Sequence, residues 1–78
     1  MSRKVIVSVD VHYNKEGKME PKAIIWEDDR KFDIERVIDQ RRAASLKAGG
    51  QGIRFTVRIK GREVYLYYDE PIWFMEGK

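Results

Sequence analysis

From Ile53 to Lys60 the chain alternates strictly: Ile53, Phe55, Val57 and Ile59 are apolar, and Arg54, Thr56, Arg58 and Lys60 between them are polar. A period of two sends successive side chains to opposite faces of an extended strand, so this segment is a half-buried strand with one apolar and one basic face. The alternation resumes from Glu63 to Asp69 after Gly61-Arg62. A two-residue loop there, with Gly61 supplying the positive φ of a type II′ turn, predicts a hairpin. In that hairpin Lys60 faces Glu63, Arg58 faces Tyr65, Thr56 faces Tyr67 and Arg54 faces Asp69. On the other side Ile59 meets Val64, Val57 meets Leu66 and Phe55 meets Tyr68. A one-residue slip would turn Val64 and Leu66 onto the basic face, which fixes the side that is buried.

The rest of the chain reads the same way. Val5, Val7, Val9, Val11 and Tyr13 alternate with Ile6, Ser8, Asp10 and His12, a strand over roughly residues 4 to 13. Asn14 to Lys18 has hairpin-loop composition, and the next strand runs from about Met19 to Glu27, with Pro21 suited to an edge or a strand beginning. A three-residue turn, Asp28-Asp29-Arg30, then pairs Glu27 with Lys31, Trp26 with Phe32 and Ile24 with Ile34. The segment Asp33 to Lys47 carries two signals. Asp33 as N-cap, an Ile34/Val37/Ile38/Leu46 side and Gly49 as a stop describe a helix. Continued alternation through Phe32, Ile34 and Arg36, with a bulge at Val37-Ile38, describes a strand. The preferred reading is a bent strand to about Arg42, then an irregular or short helical turn through Leu46. Lys47 to Gly52 is a turning loop, and Pro71 forces a turn before a last strand, Ile72 to Met75. Together these give an all-β fold, a six-stranded antiparallel meander curled into a small open barrel, with allowance for one short helical turn near Arg42 to Lys47. Curling hides the apolar face and shortens the exposed edges that a flat sheet would leave.

At 78 residues the chain is expected to form a single domain, residues 1–78. There is no cysteine, which excludes disulfides, cysteine-based zinc sites and thiol chemistry, and the core must rest on Val, Ile and the two Trp, four Tyr and three Phe. The basic start MSRKVIVSVDV alternates, unlike the continuous apolar region of a signal peptide, and no run approaches the ~20 apolar residues of a membrane span. The expectation is a cytoplasmic protein with no membrane partner. A net charge of +3 permits contact with phosphates, but the 16 basic and 13 acidic residues are interspersed, as plain solubility also requires.

The stretch from Ile24 to Gly77 resembles a family of small, uncharacterised bacterial proteins sharing a W-x-D-x-R-x-[FY]-x-I-x-R-V pattern, a Gly-rich loop, a basic strand and a closing W-F. Here these are Trp26, Asp28, Arg30, Phe32, Ile34, Arg36 and Val37, then Gly49 to Gly52, then Trp73-Phe74. The resemblance covers most of the chain; it implies an all-β fold and no activity. A fainter similarity, over a tryptophan-containing strand, an R-V strand and the terminal W-F strand, is to the small tail domain of bacterial polymerase-like DNA-repair accessory proteins. It implies contact with nucleic acid by analogy only.

The inventory for catalysis is thin: one His, three Ser and one Thr. Ser8 lies four residues from His12 on the same strand face, too far for a direct hydrogen bond, and Ser45 has no nucleophile elbow around it. Asp10 beside His12 has no metal-site spacing. Asp28-Asp29 and Asp69-Glu70 fall at turns, where carboxylates serve local hydrogen bonding. The glycine loop lacks the Lys-Ser or Lys-Thr ending of a phosphate loop and leads into a strand; Gly49, Gly50 and Gly52 offer a backbone nest or, more ordinarily, a reversal of the chain. No catalytic residue, metal or cofactor is expected, and the protein reads as a non-enzymatic binding module.

The leading candidate surface is the basic-aromatic hairpin face of Arg54, Arg58, Lys60, Tyr65 and Tyr67, helped by Arg41 and Arg42 if the middle strand packs beside it. Guanidinium groups grip phosphates and tyrosines stack on bases, so this face suits weak nucleic-acid binding. The competing reading is a solvated face on which Lys60 and Arg54 are neutralised by Glu63 and Asp69. A second functional class is a protein-interaction or homodimer module, built on an open edge strand and on whichever of Trp73 and Phe74 points away from the core.

Overall fold

In a computed structural model of the protein, described for residues 3–44 and 51–77, the chain forms seven strands: β1 (Arg3–Tyr13), β2 (Met19–Ile25), β3 (Lys31–Asp33), β4 (Arg36–Ala44), β5 (Gln51–Ile59), β6 (Arg62–Asp69) and β7 (Ile72–Gly77). They make one antiparallel sheet in the order β3-β2-β1-β7-β6-β5-β4. The two edge strands, β3 and β4, are consecutive in the chain, so the link Ile34-Glu35 runs from one edge to the other. Its amides are satisfied on both sides: the Ile34 N–H donates to the Lys22 carbonyl and the Glu35 N–H to the Arg58 carbonyl, each at 2.8 Å. This link draws the sheet into an open half-barrel.

The same link explains why there are seven strands where six are expected. The bent strand from Lys31 onward breaks at Ile34-Glu35, giving a short β3 that pairs with β2 and a longer β4 that pairs with β5. The expected bulge is present: the register steps from Val37↔Val57 to Asp39↔Thr56, leaving Ile38 unpaired. Arg42 to Ala44 remain in the strand; the rest of the allowance for a helical turn, residues 45–47, lies outside the described residues.

Two hairpins keep their expected faces but shift register. In the β5–β6 hairpin the pairs are Arg58↔Glu63, Thr56↔Tyr65, Arg54↔Tyr67 and Phe55↔Leu66. The turn residues are Lys60 and Gly61, both at positive φ (51° and 76°), the requirement of a type I′ turn. The II′ turn at Gly61-Arg62 therefore gives way to a turn one residue earlier. In the β2–β3 hairpin the loop is Glu27-Asp28-Asp29, closed by the Trp26 N–H donating to the Arg30 carbonyl at 2.8 Å. Asp29 takes the left-handed position (φ 67°), and Ile24 pairs with Phe32. Space is open around Gly61, so Gly61→Ala should cost only its backbone strain, about 1–2 kcal/mol. A urea midpoint lowered at constant m-value would register it.

The inner face carries the core. Val5, Val7, Ile24, Phe55, Val57 and Leu66 are buried together, with Tyr68, Trp73 and Met75 packed against them. The Phe55 and Trp73 rings lie 5.5 Å apart, and those of Tyr68 and Trp73 4.6 Å apart. Outside the core, Arg3 on β1 reaches the Glu27 carboxylate at the β2–β3 loop at 2.7 Å. The hydrogen bond from Arg3 holds the Glu27 carboxyl below its ordinary value. A carboxyl depressed in the folded state stabilises the fold above its unfolded pKa, and that contribution disappears as pH falls through the folded pKa. A carboxyl-carbon NMR titration should place Glu27 below the usual glutamate range, and Arg3→Gln should bring it back.

Candidate nucleic-acid interface

The outer face is built by the register between strands. Arg41 on β4 lies opposite Arg54 on β5, Arg54 opposite Tyr67 on β6, Tyr67 opposite Phe74 on β7, and Phe74 opposite Ile6 on β1. Five residues thus form one row across five strands, with side chains on the face away from the core. The Tyr67 and Phe74 rings stack at 5.1 Å and 8°. Lys4 Nζ sits 4.5 Å from the Phe74 centroid, and the Arg54 guanidinium lies 4.4 Å from the centroid of Tyr65. Tyr65 meets Tyr67 edge-on at 6.5 Å. These contacts cover the middle of the row: Tyr67 is 5% exposed and Phe74 1%, while Tyr65 remains 46% exposed. Arg54 Nε is buried without a hydrogen-bond partner among the described residues, so on this side its charge rests on the Tyr65 ring.

Of the expected binding residues, Arg41, Arg54, Tyr65 and Tyr67 come together. Arg58 shares their face but lies further along β5, where Glu63 opposes it and Glu35 Oε1 stands 3.3 Å from its Nε. Lys60 is not on this face. The turn carries it over the Phe32 ring, 5.1 Å from the centroid. Arg42 is also displaced, because the bulge at Ile38 turns Asp39 and Arg41 outward and leaves Arg42 opposite Ile53, on the inner side. Arg41 is held by Asp39 at 2.7 Å. Neither Glu63 nor Asp69 faces Lys60 or Arg54 as the two-residue loop at Gly61-Arg62 would require; Arg54 faces Tyr67.

Lys4, which the sequence did not single out, joins this face beside Phe74. The Trp73-Phe74 pair requires one ring to leave the core, and Phe74 does so. It does not become an exposed patch, however, because Tyr67 and Lys4 cover it. Ser8 and His12 lie exposed on β1, opposite Ile25 and Glu20, with no hydrogen bond between them. Ser45, Gly49 and Gly50 lie outside the described residues.

A concavity opens on the inner side, where the β2–β3 and β5–β6 hairpins meet. It holds about 290 Å³ between Trp26 and Phe32 on one wall and Ile59 and Val64 on the other. Trp26 and Phe32 stand out in the sequence, but only the pairing of Ile24 with Phe32 and the early turn at Lys60 bring them opposite the second hairpin.

No family model, curated protein or solved structure matches this chain. No helix among the described residues is long and apolar enough to cross a membrane.

Proposed function

We propose that the protein is a non-enzymatic binding module of the cytoplasm that takes single-stranded nucleic acid across its outer face. The observation that supports this reading is the cross-strand pair Arg41 and Arg54, with the Arg54 guanidinium lying over half-exposed Tyr65. Two guanidinium groups at neighbouring strand positions match successive backbone phosphates, and a flat cation on an aromatic ring is a platform on which a base can stack. Asp39 beside Arg41 and Glu76 beside Tyr67 temper the positive field, which keeps the binding weak.

Anisotropy of a labelled single-stranded oligonucleotide, titrated at two salt concentrations, tests it. Each phosphate neutralised contributes about 0.7 to the slope of log affinity against log salt. The double variant Arg41→Gln/Arg54→Gln should lose about tenfold in affinity at low salt and flatten the slope by about 1.4. Arg42→Gln, on the other side of β4, should leave both unchanged. Absence of binding by the parent protein at low salt, or a folded double variant that binds as before, removes the reading.

The assembly reading has less support. The aromatic that leaves the core is covered, and what favours an interface is the edge strand β4 with Val37 and Ile38 partly exposed. Ultracentrifugation at high salt tests it, since an apolar contact persists there.

A further inference from the structure

The inner-side cleft is chemically unlike the outer face. Its floor and walls are apolar, from Ile24, Trp26, Phe32, Val64 and Met75, and the charged side chains that line it, Arg30, Lys60 and Arg62, are all cations. Arg30 is occupied by Asp28 at 2.6 Å. Lys60 and Arg62 take part in none of the ion pairs among the described residues. Both Arg30 and Lys60 sit over the Phe32 ring, 5.5 and 5.1 Å from its centroid. The nearby carboxylate of Glu35 is turned to Arg58 and to the Gly61 N–H and does not line the cleft. The sheet geometry makes this arrangement specific. Lys60 is held at the rim by a positive-φ turn position (φ 51°) that a lysine adopts at some cost, and Arg62, opposite Ile59, shares the inner side.

We propose that this cleft binds a small amphiphilic anion, an apolar chain or ring bearing one carboxylate. The apolar part lies between Trp26, Phe32 and Val64, and the carboxylate is taken by Lys60 and Arg62 at the rim. A cleft of about 290 Å³ falls just short of the ~300–1,000 Å³ typical of ligand pockets, which restricts the ligand to a compact one. An apolar lining with a few convergent charged groups of one sign is the composition such sites use to fix orientation. The site is separate from the outer face, because Ile59 and Val64 alternate with the residues that carry Arg58 and Tyr65 outward.

The probe is octanoate, followed through backbone amide NMR shifts and compared with octanol and octylammonium of the same chain length. Octanoate should give saturable shifts at Trp26, Phe32, Gly61 and Val64. Octanol should bind at least tenfold more weakly, and octylammonium should not saturate. The double variant Lys60→Asn/Arg62→Gln keeps the turn, since asparagine accepts positive φ, and should weaken octanoate at least tenfold with an otherwise parental spectrum. Arg62→Gln alone, which leaves the turn untouched, should weaken it severalfold. Four results overturn the proposal: no octanoate binding, equal binding of octanol, undiminished octanoate binding by the folded variants, or movement of the cleft resonances by a single-stranded oligonucleotide in place of octanoate.

Discussion

Phe55→Ala is expected to lower the free energy of unfolding by about 3–5 kcal/mol, the range for removing a fully buried aromatic ring. Phe55 is 0% exposed. It sits on the central inner row of β5 opposite Leu66 and packs its ring against Trp73 at 5.5 Å. A half-barrel of this size can collapse only partly around the loss, because β5 is held on both sides by paired strands. At roughly 0.05–0.15 kcal/mol per residue, a chain this short has a total stability of about 4–12 kcal/mol. The substitution therefore brings the protein close to its unfolding threshold at 25 °C. Urea denaturation reads the effect as a lowered midpoint, and Tyr65→Ala on the outer face of the adjoining strand should move it by only about 1–2 kcal/mol, the loss of its contacts with Arg54 and Tyr67. A Phe55→Ala loss as small as that of Tyr65→Ala would place the core elsewhere.

Gly52→Ala is the second large effect, expected at about 3 kcal/mol, and its cause is backbone, not packing. Gly52, the second residue of β5, has φ 156°, and a Cβ there would run into the carbonyl oxygen of Tyr68 on β6. The obstacle is main chain at the Ile53↔Tyr68 end of the β5–β6 pairing, so relief requires the strands to part there. Amide exchange should accelerate selectively at Ile53, Tyr68 and Asp69, beyond any global loss. The contrast with Gly61→Ala separates two uses of glycine: Gly61 meets a conformational demand in open space, whereas Gly52 also permits a close approach between strands β5 and β6. Equal costs for the two would contradict that distinction.

The inner and outer faces were legible in the sequence because they depend only on parity. Whether the hairpin turns at Lys60-Gly61 or at Gly61-Arg62, Phe55, Val57 and Leu66 remain inside and Arg54, Tyr65 and Tyr67 outside. The exact pairing was not legible, because it required a lysine to occupy a left-handed position, against its local preference. The strand expected to about Arg42 runs on to Ala44, because Ala43 and Ala44 gain a ladder with β5 that propensity does not encode. The bulge at Val37-Ile38 was readable as a break in alternation, yet its consequence, Arg41 outward and Arg42 inward, needs the partner strand. The row from Arg41 to Ile6 and the cleft beneath Lys60 depend on strands distant in sequence, and no local pattern announces them.

The sheet order places β1 beside β7, between two runs of sequence-adjacent strands. Each run, β1-β2-β3 and β4 to β7, can be assembled from hairpins whose ends are already close. The β1–β7 seam joins opposite ends of the described chain, Arg3 with Gly77, and it seats Val5 and Val7 in the core. Loop-closure entropy is greatest for that contact. The topology thus makes the β1–β7 seam the most non-local pairing of the described strands, the kind of contact that slows β proteins relative to local hairpins such as β5–β6.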